Sequence, residues 1–489
     1  MLPGMGLNGV TPAWLMLTII SHMLWLTLRQ LKSGTLGARK KAARQLWRDA
    51  DPRALDALAW TVLNDPEKEI RQIAASALGR LNDPRRLDPL LKALQDKNSE
   101  VLSSAILALR RTSEERVVQK LVALLRHQDF GVRATAAQTI DTIRWVPTDR
   151  LQRIWFQVAK GWYERAAALG PEALDALKLV VETGPMHNAV RAVDAIGSIS
   201  DPRAIQLLRA ALNAKEPAVQ VAATYAIGKG GGTGAVDALK ACLRSEHPQV
   251  RVGSAHALGT LGASEAAGLI CKMLKDKQWE VRQEAALTLG KLKNLEALEP
   301  LTATLHDSDA DVREAAVMAL GKIADRRAIV PLVLALADEA TSVRRIAAAS
   351  LSRIDVDWIS LPETHGAADK LKSAIKDAEP AVKFFVSQLL VNMGELPPDA
   401  ITGLASGDHL TSPAVKRTQM AAHLFITLLE DPDRDVRQAA AEALGRLGGK
   451  RARQALTRTA SDPDGDVAAA TQMALQALEI QSQKSSEAT

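Results

Sequence analysis

Apolar positions fall along most of this chain in pairs of short stripes, and each stripe has the spacing of one helix face. Residues 307–338 show it cleanly. Val312, Ala315, Ala316, Ala319, Leu320 and Ile323 stand at offsets 0, 3, 4, 7, 8 and 11, which places them on one side of a helix. A polar turn, ADRR, follows. Ile329, Leu332, Val333 and Leu336 then repeat the spacing at offsets 0, 3, 4 and 7, predicting a second helix. Pro331 is compatible with it, because a missing N–H costs little in the first turn of a helix. Pro300 holds the same place one unit earlier, and Pro89 recurs near the start of the array. Neither helix can bury its apolar face alone, so each pair must stack on the pairs before and after it.

The unit recurs with a fixed period. Gly197, Gly228, Gly259, Gly290 and Gly321 follow one another at 31-residue steps, inside phrases such as VRVGSAHALGTLG, VRQEAALTLGKLK and VREAAVMALGKIA. That period predicts a solenoid, whose working surface is an extended face and not an enclosed pocket. Equivalent positions elsewhere hold Arg110, Asp141 and Ser352, so the glycine answers to close helix approach and not to a left-handed backbone. Asp307 and Asp309 precede the first helix, where a carboxylate accepts from orphan N–H groups and favours the positive end of the dipole. An Asp also stands six residues before an Arg in five units: Asp65 and Arg71, Asp276 and Arg282, Asp307 and Arg313, Asp338 and Arg344, Asp431 and Arg437. Acid–base chemistry needs one such pair set apart. Five alike predict a structural ladder of caps and ion pairs.

The full phrase, V-R-x-x-A-A-x-A-L-G-x-(L/I), a turn, then A-(L/I)-x-P-L-x-x-A-L-x-D, resembles the HEAT repeat in the short bacterial form named after phycobilisome lyases. It is clear at 70–96, 219–338 and 436–462, and weaker at 101–127, 132–143, 190–212, 343–354 and 467–478. The resemblance implies an all-α protein, a right-handed α-α superhelix (HEAT-repeat solenoid) whose second helices line the concave side. It implies scaffolds and protein-binding surfaces more than any one activity. The expected layout is an N-terminal hydrophobic helix over 1–31, the solenoid over 32–480 and a polar, disordered tail over 481–489.

Composition agrees with small, closely packed helices: 47% of residues are apolar but only 3% aromatic. Cys242 and Cys271 lie in nearly the same part of successive units and read as small core residues in a reducing compartment. Two thiols alone make no zinc site. The formal charge is +6. Residues 29–53 set Arg29, Lys32, Arg39, Lys40, Lys41, Arg44, Arg48 and Arg53 against Asp49 and Asp51, which accounts for the whole excess. No basic stripe is left to track a phosphate backbone, so a nucleic-acid partner is not expected. A HEAT-like nucleic-acid binder stays as an alternative that steeply salt-dependent duplex binding would reveal.

Residues 10–28 read VTPAWLMLTIISHMLWLTL, without a formal charge, and approach the length of about 20 residues that a membrane span needs. Trp14 and Trp25 stand near the ends, with Leu17, Ile19, Ile20 and Leu24 between them. The basic cluster on the C-terminal side predicts repeats in the cytoplasm of a bacterial cell, anchored in the inner membrane by a single pass. No Lys or Arg precedes the stretch, which argues against a cleaved signal peptide. The competing reading is a helix that caps the first repeat, since Thr11, Thr18, Ser21, His22 and Arg29 share one polar face.

The period breaks twice, and irregular units are where repeat proteins place binding. Residues 144–188 hold Trp145, Trp155, Phe156, Trp162 and Tyr163, a dense cluster for a chain with nine Trp, two Tyr and five Phe. They are candidates for a core that repairs imperfect stacking, or for an anchor on a protein partner, since Trp and Tyr are common hot spots. The stretch still reads as a helix pair broken at Leu169-Gly170-Pro171. Residues 355–413 are turn-rich around Phe384 and Phe385 and read as an insertion between units.

Chemistry is sparse. GKGGGTG at 228–234 lacks Walker spacing and a preceding strand, so it fills a turn. None of the nine histidines precedes a Glu, the pairing from which HEAT-type deoxyhypusine hydroxylase builds its di-iron site. His256, amid Ala and Leu, reads as a core histidine. No Gly-x-Ser-x-Gly elbow or Cys-x-x-Cys occurs, and no metal or cofactor is expected. The expectation is a non-catalytic, membrane-tethered scaffold binding protein partners in its concave groove. The alternative is a phycobilisome-lyase-like enzyme that handles a tetrapyrrole or modifies a partner protein.

Overall fold

The computed structural model describes residues 12–374, 380–396, 425–426, 428–430, 434–447 and 450–487, with the side chains of 12–20, 33, 380, 381, 383, 384, 435, 436, 447 and 480–487 left aside. Trp14, Leu17, Ile19, Ile20, Phe384 and Asp431 therefore lie outside the described side chains.

Helices are the only regular elements among the described residues. In the first compact unit, residues 1–226, α1 (Pro12–Ser33) precedes α2 (Leu36–Asp49), α3 (Leu55–Asn64), α4 (Lys68–Arg80), α5 (Leu87–Ala93), α6 (Ser99–Ala108), α7 (Glu115–Leu124) and α8 (Phe130–Thr142). The irregular stretch adds α9 (Arg150–Ala159), α10 (Tyr163–Ala167) and α11 (Leu174–Thr183) before α12 (Met186–Gly197) and α13 (Pro202–Ala211) restore the alternation. The boundary falls inside α14 (Pro217–Gly230). The second unit, residues 227–489, continues with α15 (Ala235–Cys242), α16 (Pro248–Leu261), α17 (Ala267–Met273), α18 (Trp279–Leu292), α19 (Leu298–Thr304), α20 (Ala310–Ile323), α21 (Ile329–Ala335) and α22 (Thr341–Ile354). Three later helices, Arg434–Leu447, Lys450–Thr459 and Gly465–Glu487, close it.

The stripes read from the sequence are the core. Val312, Ala315, Ala316, Ala319 and Leu320 of α20 are buried, as are Ile329, Leu332 and Val333 of α21. A fully buried Leu such as Leu320 contributes about 2 kcal/mol. Asp309 caps α20, accepting from the Asp311 N–H at 2.9 Å and the Val312 N–H at 3.4 Å.

The periodic glycine sets how the units stack. A Cβ on Gly290 would stand 2.6 Å from Ala319 Cα, and one on Gly79 2.7 Å from Ala108 Cα, each on the following first helix. First helices thus lie shoulder to shoulder. Clefts of about 480 Å³ and about 510 Å³ open between the second helices α11 and α13 and between α17 and α19.

α1 closes the start of the array. Leu31 is buried, and Leu24 and Leu28 pack partly buried on the same core. Ser21 Oγ accepts from Arg53 Nη1 at 3.2 Å. Leu24 thus faces the first repeat. Among the described residues no helix is long and apolar enough to cross a membrane. At the other end the last helix runs on to Glu487, through most of the tail expected to be disordered. A helix already nucleated propagates at low cost even without apolar residues.

Candidate protein-binding surface

The Asp and Arg of the ladder are placed on either side of each inter-unit turn. Arg282 Nη1 donates to the Asp276 carbonyl at 3.0 Å, while Nε and Nη2 both reach the Asp307 carboxylate at 2.7 Å. Asp307 also accepts from the Asp309 N–H at 3.0 Å. Arg313 repeats the fork on Asp338 at 2.8 and 2.9 Å, Arg71 on Asp96 at 2.7 and 3.0 Å, and Arg437 on Asp462 at 2.8 and 3.0 Å. Each of these arginines therefore pairs with the Asp one unit ahead, while Asp65, Asp276 and Asp307 offer their carbonyls to Arg71, Arg282 and Arg313. The pairing by six that the spacing suggested is corrected. The guanidinium fork fits one carboxylate side-on and still has a donor to spare for the turn it leaves.

Burial alone would raise the Asp307 carboxyl; Arg282 and the Asp309 N–H outweigh it and hold the group below its ordinary value. Asp96 and Asp276 follow the same pattern, with Arg71 and Arg251 as the opposing cations. In Asp96 and Asp307 both oxygens are engaged as acceptors, by Arg71 and Arg282 respectively.

Two arginines interrupt the ladder. Arg344 donates to the Asp338 and Glu339 carbonyls at 2.7 and 2.8 Å and to Thr341 Oγ1 at 2.9 Å. Arg133, almost fully buried, donates to the His127 and Gln128 carbonyls and to Thr183 Oγ1. Neither meets a carboxylate among the described residues, and each directly precedes one of the irregular stretches.

The five aromatics of the first irregular stretch divide. Tyr163 is fully buried and its oxygen accepts from Asn188 Nδ2 at 2.5 Å. Phe156, also buried, meets Trp145 and Trp162 edge-on, with ring centroids 6.4 and 6.3 Å apart. Trp145 and Trp155 pack half-buried on the core of the preceding repeats. Trp162 is 38% exposed, with the Lys160 ammonium 5.5 Å and the Arg165 guanidinium 5.0 Å from its ring. Of the five, two are buried and two half-buried against the core, and Trp162 is the exposed one.

The surface that the sequence reading missed lies on the first helices, at the positions complementary to the buried stripe. In the second unit, the middle of that face carries His256, Leu287 and Met318, successive at 31 residues, the first exposed and the other two half-buried. His256 is exposed, with Nδ1 3.0 Å from Glu284 Oε1 on the next first helix, which corrects its reading as a core histidine. Toward the C-terminal ends run Thr260, Lys291, Lys322 and Arg353; toward the N-terminal ends stand Gln249, Glu280 and Asp311. Lys291 Nζ donates to Thr260 Oγ1 at 3.2 Å, tying neighbouring helices along the basic edge. The acidic and basic edges complement the helix dipoles beneath them. Between the edges, about 11 residues of helix span roughly 16 Å. The first unit has the same polarity, with Glu69 and Glu100 at one edge, Arg80 and Arg111 at the other, and exposed Leu107 between. The signal was available in the sequence: the same 31-residue register that aligns the glycines aligns these positions.

GKGGGTG forms the turn from α14 to α15, with Gly231, Gly232 and Gly234 at positive φ. Cys242 and Cys271 are unbridged and half-buried, and burial pushes both thiols up. Among the described residues no three His, Cys, Asp or Glu gather as metal ligands.

The HEAT repeats family matches the chain in six stretches, 27–103, 56–141, 176–251, 236–321, 298–383 and 408–476. Its gaps, 142–175 and 384–407, fall largely within the two irregular stretches. No curated protein matches the chain. Among solved structures it is similar to human deoxyhypusine hydroxylase in complex with glycerol, at 21% identity over 63% of this chain and 98% of that one, with a TM-score of 0.24. It is also similar to importin beta, at 15% identity over 93% and 67%, TM-score 0.38. An engineered protein is similar at 20% identity over 87% and 98%, TM-score 0.30. Matched by the family over most of its length and built of stacked helix pairs, the chain belongs to the HEAT-repeat family.

Proposed function

We propose that this protein is a non-catalytic scaffold that binds a partner protein along the exposed face of its first helices, while its N-terminal segment holds it at the cytoplasmic face of a bacterial inner membrane. The observation that carries the binding role is the row His256, Leu287 and Met318 between an acidic and a basic edge. A helix with its side chains is about 10–12 Å across, which fits a trough of roughly 16 Å. An amphipathic partner helix would set its apolar stripe on Leu287 and Met318 and its acidic flank toward Lys291 and Lys322. Polarity across the trough would fix which way round the partner lies. Trp162, with two cations against its ring, supplies a second contact in the first irregular stretch. The 31-residue spacing we read as the short, phycobilisome-lyase type of the repeat, a statement about repeat length and not about activity.

Crosslinking capture from native membranes tests this reading, comparing the full chain with a Leu287→Asp/Met318→Asp variant. Both side chains are only half-buried, and circular dichroism checks that the variant keeps its helices. A protein captured by the parent and lost from the variant supports the proposal. Identical capture by both removes this face from consideration.

A further inference from the structure

The N-terminal helix shows two apolar faces, and the repeats use only one. Leu24, Leu28 and Leu31 turn inward onto the core. Met23, Trp25 and Leu26 are left outward at 62%, 53% and 45% exposure. His22 stacks on Trp25 with ring centroids 5.8 Å apart, and the Arg29 guanidinium stands 5.5 Å from the same ring. These contacts place His22, Trp25 and Arg29 on one outward side. Lys32 ends the helix exposed, and Leu36, 50% exposed, opens α2, which goes on to present Lys41, Arg44 and Arg48.

We propose that the outward face of α1, with the exposed cations of α1 and α2, is a docking surface for an anionic lipid bilayer, on which the helix lies along the surface without crossing. This rests on the membrane-attachment reading above and states its mode. Three observations choose a lipid surface over a protein. The inward leucines are committed to the first repeat, so the helix has only one face to give to lipid. No described helix is long and apolar enough to span a bilayer. And the formal positive excess of the whole chain is gathered in residues 29–53, beside the exposed Trp and Leu. An interfacial helix needs both an apolar face and basic residues that meet anionic headgroups, each near-surface cation adding about 1 kcal/mol. Trp at the boundary suits a ring with an apolar body and a polar N–H.

The test uses the full chain and vesicles of phosphatidylcholine alone or with about one quarter phosphatidylglycerol, read by co-sedimentation at low and high salt. The parent is expected to sediment with the anionic vesicles, to stay in solution with the neutral ones, and to be released by salt. A Trp25→Glu/Leu26→Glu variant, changed only at exposed positions, is expected to lose about tenfold or more in affinity. An Arg29→Glu/Lys32→Glu variant is expected to lose the preference for phosphatidylglycerol. Unchanged binding by either variant, or equal binding to both vesicle types, overturns the proposal. A chain that resists an alkaline carbonate wash of native membranes overturns surface docking but leaves the attachment reading standing. Absence of binding to any vesicle together with full release from native membranes in plain buffer overturns both.

Discussion

At the scale of single residues, the ladder aspartates and the periodic glycines carry the design. Replacing Asp307 with Ala removes a bidentate acceptor for Arg282 and the acceptor for the Asp309 N–H, both largely out of solvent. The cost is expected to be about 2–3 kcal/mol, read as a lowered urea midpoint. The same pair gives a pH dependence whose sign is set by the lowered carboxyl. Asp96, Asp276 and Asp307 titrate lower folded than unfolded, so their contribution is whole above the ordinary value of 3.8 and fades as pH falls through the folded values. The Tm is therefore expected to drop as pH is taken from about 5 to about 3, and the gap between parent and Arg282→Gln to narrow over the same range. A gap that stays constant would detach the pair from acid stability. For the glycines, two substitutions divide the case. Gly290→Ala would drive a Cβ to 2.6 Å from Ala319 Cα, and is expected to cost about 1–3 kcal/mol despite the better helix propensity of Ala. Gly259→Ala meets the Thr288 side chain at 3.0 Å, which can rotate away, and is expected to be nearly neutral.

At the scale of elements, the irregular stretch is explained by the ladder it interrupts. Arg133 has no Asp one unit ahead, because Val158 stands there, and it turns to carbonyls and Thr183 instead. Phe156 and Tyr163 are buried in the stretch that lacks this ion pair. Tyr163→Phe is expected to destabilise by about 1–3 kcal/mol, since it strands the buried Asn188 amide that donates to it. Trp162→Ala is expected to change the melting temperature little and partner capture more. If the two variants lost stability equally, the division of this cluster into core and contact would be wrong. That division was not legible from composition, which shows five aromatics close together but not which side of a helix each one occupies.

At the scale of the whole molecule, each helix pair is held by its immediate neighbours, so damage should stay local. Val312→Asp puts a charge into the buried stripe of α20. Hydrogen exchange is expected to speed up in α18, α20 and α22 while α4, α6 and α8 keep their protection. Protection lost evenly along the chain would mean one cooperative core instead of a stack. The scaffold proposal belongs at this scale too, because an extended row of side chains exists only when the pairs are stacked.

The periodic pattern of apolar residues was sufficient, by itself, for the helix pairs, their order and the solenoid, because each of these follows from local spacing that repeats. It also foretold that the glycine serves close approach. It did not decide which Asp each Arg meets, where His256 sits, or which face of α1 is occupied. All three depend on the contact of one unit with the next. A period states that units are alike, but only their packing fixes the side on which they touch, and so the side left open to a partner.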